Sequence, residues 1–177
     1  MTVDYRRADR GDAARLALLA AATFPLACPD DAPIADVTDF IAAQLTEDRF
    51  ADYLADAGRL LFVAEQDGLP IGYTMVILGE PNDPDVASAV TVRPTAELSK
   101  MYVFPGHHGS GVSAHLMELS VQAAADAGAG GVWLGVNDEN RRANRFYEKN
   151  GFAIVGAKSF TLGSRTESDF VRERLLR

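Results

Sequence analysis

The sequence predicts an α/β (α+β) protein, a mixed, mostly antiparallel twisted sheet with a parallel strand pair at its centre and helices against its faces. Three observations carry this. Residues 60–78 hold two apolar runs split by Asp67-Gly68, a hairpin pattern. Residues 96–136 run strand, helix, strand, an order that implies a parallel pair. Residues 152–175 hold two further strand patterns, read as a closing antiparallel pair.

In chain order, Val3 and Tyr5 alternate with polar neighbours, so Thr2–Arg7 reads as a strand. Arg10–Phe24 sets Leu16, Leu19, Ala20 and Phe24 at helical spacing, and Pro25 with the Cys28-Pro29-Asp30-Asp31 turn is expected to end that helix. Ile34–Leu45 and Glu47–Ala57 read as two more helices, Phe40, Ile41 and Leu45 sharing a face of the first, Phe50, Tyr53 and Leu54 a face of the second. Leu60–Gln66 and Pro70–Leu78 are the hairpin strands. Glu80–Pro94, with Pro81, Pro84 and Pro94 among Asn and Asp, reads as a long exposed loop. Ala96–Val103 is a strand and Gly109–Ala127 a helix with Val112, Leu116, Leu119 and Ala123 on one face. Gly131–Val136 is a near-continuous apolar run, hence a buried strand. Glu139–Asn150 is a short helix; Phe152–Leu162 and Ser168–Leu175 are the last strands.

A chain of 177 residues fits one domain, residues 1–177, with a core that needs neither disulfide nor metal. No apolar run approaches the roughly 20 residues that span a bilayer, and the first seven residues lack the apolar core of a secretory signal. Cys28 is the lone cysteine, so no internal disulfide forms, and the cytoplasm is the expected location. It lies among turn residues and reads as structural or incidental. The formal charge of −8, from 25 acids and 17 bases, disfavours nucleic-acid partners and attracts small cations. His107, His108 and His115 lack a Cys or carboxylate partner at metal-ligand spacing, so no metal is expected.

The stretch Lys100-Met101-Tyr102-Val103-Phe104-Pro105-Gly106-His107-His108-Gly109-Ser110-Gly111-Val112-Ser113 passes from strand through a small-residue turn into an amphipathic helix. Glycines admit positive φ and leave no Cβ in a ligand's way. A helix start presents unpaired N–H groups and the positive dipole end. Together these suit a pyrophosphate, although a plain glycine turn joining strand to helix explains the same residues. The Gly-Lys-Ser/Thr ending of a P-loop is absent. Further on, Asn140 opens a helix, Tyr147 follows two turns later on the same face, and Gly151 stops it.

These two stretches resemble the acetyl-CoA core of the GCN5-related N-acetyltransferases (GNAT family). That family carries Gln/Arg-x-x-Gly-x-Gly/Ala at the turn; here it reads His108-Gly109-Ser110-Gly111-Val112-Ser113, with His108 where Gln or Arg is usual and Ser113 where Gly or Ala is usual. Its second string is matched throughout by Asn140, Ala143, Phe146, Tyr147, Gly151 and Phe152. The resemblance implies a GNAT fold whose central parallel pair splays apart, with acetyl-CoA as cosubstrate in the gap. Met101, Tyr102 and Val103 would then bind the pantetheine arm, and the N–H of Val103 would polarise the thioester carbonyl. His108 through Ser113 would hold the pyrophosphate, and Asn140 the pantetheine or a water. Tyr147 would be the general acid; an attacking ammonium also needs a base, for which Glu97 on the entering strand is the candidate and a base acting through water the alternative. Arg141, Arg142 and Arg145 would reach the outer phosphates or form a solvated helix face. Family members often form homodimers.

The strings Ala96–Val103, Trp133-Leu134-Gly135-Val136 and Gly156–Gly163 with Asp169 resemble more narrowly the Pai-type bacterial acetyltransferases of spermidine and spermine. That likeness implies a polyamine acceptor, with Asp30, Asp31, Asp36 and Asp39 near the acceptor site. The alternatives are another small amine, a protein N-terminus, or a coenzyme-A-binding module without turnover.

Overall fold

The computed structural model describes residues 2–177. Seven strands form one sheet in the order β1-β2-β3-β4-β5-β7-β6. They are β1 (Val3–Arg7), β2 (Arg59–Gln66), β3 (Leu69–Leu78), β4 (Thr95–Val103), β5 (Gly131–Asn137), β6 (Ala153–Leu162) and β7 (Arg165–Leu175). Every neighbouring pair is antiparallel except β4 and β5. The mixed sheet with its one parallel pair is the architecture expected from the sequence.

Helices α1 (Ala13–Ala27), α2 (Ile34–Gln44), α3 (Glu47–Ala55) and α4 (Pro84–Ala89) cover one face; α5 (Val112–Asp126) and α6 (Arg141–Lys149) cover the other. Strand alternation divides the side chains accordingly. Tyr73, Met75 and Leu162 pack with Leu16, Leu19 and Phe24 of α1. Leu98, Val132, Leu134 and Val136 pack with Met117 and Val121 of α5 and with Phe146 and Tyr147 of α6. No helix among the described residues is long and apolar enough to cross a membrane.

Three local expectations are corrected. Helix α1 runs through Pro25 to Ala27. The proline removes one hydrogen bond in the last turn only, while Phe24 stays docked in the core. Residues 80–94 are not all exposed loop. Asp83 caps α4, and Val86 and Val90 are buried against Trp133 and Val171. Gly156 lets α4 sit down on β6, since a Cβ there would lie 2.6 Å from Cβ of Ala89. The buried carboxylate of Glu173 then accepts from the N–H groups of Thr91 and Val92 and from the Thr91 hydroxyl, which ties the segment to β7. Finally, α5 starts at Val112 rather than Gly109, because Gly109 and Gly111 hold positive φ (81° and 86°).

A charged network fastens β1 to β2 and to the turn before α1. Arg6 grips both oxygens of Asp12 at 2.8 Å and those of Glu65 at 3.0 and 3.1 Å. Hydrogen bonds from Arg6 hold both carboxyls below the usual range. A lowered folded value means stability that is complete above the ordinary carboxylate range and lost as pH falls through the folded values. Asp12→Ala is therefore expected to lower the unfolding free energy by about 1–3 kcal/mol at neutral pH, since Arg6 itself reaches solvent. Urea titrations of wild type and variant should converge as pH drops below about 4.

Candidate active site

Strands β4 and β5 are in register only from Thr95 opposite Gly131 to Glu97 opposite Trp133. Beyond that they part. Met75 pairs with Lys100 but Val76 with Leu98, so Ser99 is an extra, bulged residue in β4. A bulge bends its strand and sharpens the twist. From Lys100 on, β4 follows β3, while β5 stays with β7 to Asn137. The close approach of β3 to β4 requires Gly72, where a Cβ would sit 2.9 Å from Val103 Cγ2 and 3.1 Å from the Tyr102 carbonyl.

The opening is a cleft of about 760 Å³ that runs through the sheet. The N–H of Phe104 bonds the Ile71 carbonyl. By alternation the backbone groups of Met101 and Val103 face the opened edge. Met101, Tyr102 and Val103 all line the cleft, as do His108, Gly109, Gly111, Ser113, Asn140, Tyr147 and Glu97. Ser110 and Val112 do not: the Ser110 hydroxyl turns back onto the His107 carbonyl, and the Val112 side chain is in the core. Of the three arginines on α6, Arg142 alone lines the cleft.

His108 lines the cleft, and its Nε2 lies 2.9 Å from the Val103 carbonyl oxygen, so the ring clasps the end of the open edge. Burial, helped by Arg142, lowers its pKa, so the neutral ring carries the proton on Nε2 and donates it. The Val103 N–H stays on the open side. Past the clasp, a Cβ at Gly109 or Gly111 would meet no atom within 4 Å beyond its own chain neighbours. The first helical bond runs from His115 to the Gly111 carbonyl, leaving the N–H groups at the start of α5 unpaired within the helix.

Tyr147 reaches the cleft from α6, edge-on to Phe146 and Phe152 at 5.6 and 6.0 Å. Burial pushes its phenol up to about 12. Asn140 caps α6 by accepting from the Ala143 N–H at 3.1 Å. The helix is braced from below by a residue with no sequence signal, Arg172. Its buried guanidinium donates to Asn144 Oδ1 at 2.9 Å and to the Phe152 carbonyl at 2.8 Å.

Glu97 projects toward the opposite face, that of α1 and α2. Burial raises its carboxyl, opposed by Lys158, Lys100 and Arg59. Lys100, Lys158, Glu167, Asp169 and the backbone of Gly135 share this side of the cleft, walled by Phe24, Phe40 and Phe160. One cue in the sequence pointed here: an isolated glycine inside a strand, Gly135, marks close approach. The acids expected near an acceptor lie elsewhere. Asp31 pairs with Arg165 at 3.1 Å, and Asp36 abuts the Gly163 turn between β6 and β7. Neither they nor Asp30 and Asp39 line this cleft.

The cleft thus combines a sheet opened beside a glycine-bordered helix start with ionisable side chains on both sides of the gap. The family model for the acetyltransferase (GNAT) family matches residues 27–152, and the chain belongs to that family. An uncharacterized N-acetyltransferase of Mycobacterium tuberculosis is 46% identical over 165 residues, 93% of this chain and 98% of the relative. A streptothricin acetyltransferase of Streptomyces lavendulae is 34% identical over 91 residues, 49% of this chain and 47% of that one. Among solved structures, the PaiA N-acetyltransferase of Thermoplasma acidophilum in complex with coenzyme A has a TM-score of 0.79 at 18% identity, covering 99% of this chain and 100% of that chain. At that identity the likeness is one of fold.

Arg172→Met would leave Asn144 Oδ1 and the Phe152 carbonyl without their donor. An unfolding free energy lower by about 1–3 kcal/mol is expected, measured by urea denaturation. Faster amide exchange across residues 141–152 would show that the loss is centred on α6.

Proposed function

We propose that the protein transfers an acetyl group from acetyl-CoA directly to the nitrogen of a small amine, with no acyl-enzyme. The observation that carries this is a single through-sheet cleft lined at once by Tyr147, Glu97 and the unpaired edge of β4. The residues fit the cosubstrate. An open strand edge suits the amides of a pantetheine arm, and a helix start preceded by Gly109 and Gly111 suits a pyrophosphate. Met101, Tyr102, Val103 and Asn140 would hold the arm, and the backbone from Gly109 to Ser113 the phosphates. Arg142 adds positive charge next to His108. When bound, acetyl-CoA supplies the acetyl group as an activated thioester.

Val103 N–H stabilises the charge that grows on the carbonyl oxygen. Glu97, its carboxyl raised by burial, takes the proton that the ammonium must lose before its nitrogen can attack. The nitrogen–carbon bond forms as the carbon–sulfur bond breaks; Tyr147, protonated throughout the neutral range, gives a proton to the departing sulfur, and the second proton that the nitrogen sheds on becoming an amide restores the phenol. A polyamine is the acceptor suggested by the Pai-type likeness. In this cleft it would have to rely on Glu97, Glu167 and Asp169.

Thiol release from acetyl-CoA over a panel of amines tests the activity. Release at background with every amine, despite coenzyme A binding, would instead favour a non-catalytic module. Tyr147→Phe is expected to lower kcat by about 10²-fold while leaving coenzyme A affinity within a few-fold. With wild type, kcat/KM should rise with pH through a value above the ordinary glutamate range, because burial raises the Glu97 carboxyl despite the opposing pull of Lys158, Lys100 and Arg59. Glu97→Gln should lose that limb.

A further inference from the structure

The cleft wall on the α1 side carries five charged side chains, and one of them, Glu167, is held by Arg165; the other four are two of each sign. Glu97 and Lys100 belong to β4. The bulge at Ser99 lies between them, so both project to the same face, opposite Ile77 and Met75. Lys158 and Asp169 are cross-strand partners on β6 and β7, on the other side of the opening. Among the described residues their closest ionic contact is Lys158 Nζ to Asp169 Oδ2 at 3.9 Å, beyond a hydrogen bond. Asp169 is only 8% exposed, and the Lys158 side chain 17%. By contrast, Glu167 on the same wall is paired with Arg165 at 3.2 Å. Charges so buried are ordinarily paired and hydrogen-bonded. Beyond the Lys158–Asp169 contact and two cation–aromatic contacts, Lys158 over Phe160 and Lys100 over Tyr53, both at 5.8 Å, these four make no side-chain hydrogen bond among the described residues and line the open cleft.

The surroundings narrow what could use it. Gly135 forms the floor, and a Cβ there would lie 3.3 Å from Lys158 Cδ and 3.4 Å from Asp169 Oδ2. The absent side chain lets the lysine stem lie flat on β5 and leaves the strand exposed to the cleft. The wall is aromatic: Phe24 stacks on Phe40 at 4.4 Å, and Phe160 meets Phe40 edge-on at 5.8 Å. An acceptor with positive charges alone would face two ammonium groups as well as the carboxylates of Glu97 and Asp169 and the Arg165-paired Glu167. A molecule that carries one charge of each sign and an apolar side group meets all of these features.

Resting on the acetyl-transfer reading, we propose that the acceptor is a small zwitterionic amine of the amino-acid type. Its ammonium lies against Glu97, its carboxylate against Lys158, and its side group along the Phe24, Phe40 and Phe160 wall.

The test uses matched pairs that differ only in the carboxylate, phenylalanine with phenethylamine and leucine with 3-methylbutylamine, together with spermidine. Two readouts are taken: kcat/KM by thiol release, and binding to the coenzyme-A-loaded protein by calorimetry, which needs no turnover. The amino acid of each pair should be preferred by about tenfold or more in both readouts, the worth of one charge-assisted hydrogen bond. Lys158→Met should bring each pair to within about threefold, and Lys158→Arg should restore the preference. Should Lys158→Met fail to fold, the wild-type pairs still decide. Equal or better use of the plain amines or of spermidine, or an unchanged preference in Lys158→Met, overturns the proposal. Thiol release without carboxylate preference leaves acetyl transfer standing and removes the zwitterion. Preferential binding without release with any amine does the reverse, and loss of both removes both.

Discussion

Strands β4 and β5 share three residue pairs and then separate, and the rest of the molecule is arranged around that separation. Neither strand is free to close it. Each is paired along its other edge, β4 with β3 and β5 with β7, and the extra residue at Ser99 bends β4 away. Unpaired backbone is costly when buried. A gap of this kind is sustained only where its polar groups meet solvent or a ligand. Here it joins the two faces of the sheet, so groups that the layers would otherwise isolate meet in one cleft.

That geometry sorts the chemistry. The glycine-bordered start of α5, the cap of α6 and Tyr147 approach from one face, while Glu97, Lys158, Asp169 and the three phenylalanines stand on the other. On the proposed reading, donor and acceptor enter from these two faces and are held together in the cleft. The same partial burial moves the titratable groups, raising both the phenol of Tyr147 and the carboxyl of Glu97. Supports outside the cleft hold the parts in place: Arg172 beneath α6, Glu173 beneath the residues before β4, and Gly72 where β3 meets β4.

Much of this was legible in the chain. The hairpin at Asp67-Gly68, the β4–α5–β5 crossover and the closing pair follow from periodicity and turn chemistry, which act within a few residues. Asn140 and Tyr147 were legible for the same reason, since helical spacing alone puts them on one face. Where expectation failed, a distant contact had overruled a local signal. Pro25 did not end α1, because the helix face around Phe24 was already docked. Prolines and aspartates in residues 80–94 suggested an exposed loop, but Val86 and Val90 found Trp133 and Val171.

By itself, then, the sequence determined the order and type of the elements, the glycine turn, and the family that its two motifs define, because each of these is written in neighbouring residues. Tertiary structure alone decided where β4 and β5 part and that His108 clasps the Val103 carbonyl. It also drew Asp31 and Asp36 to the β6–β7 turn, while Lys158 and Asp169 came to face Glu97. Those outcomes depend on pairing between strands far apart in the chain, and no local pattern of residues encodes which side of a sheet will open.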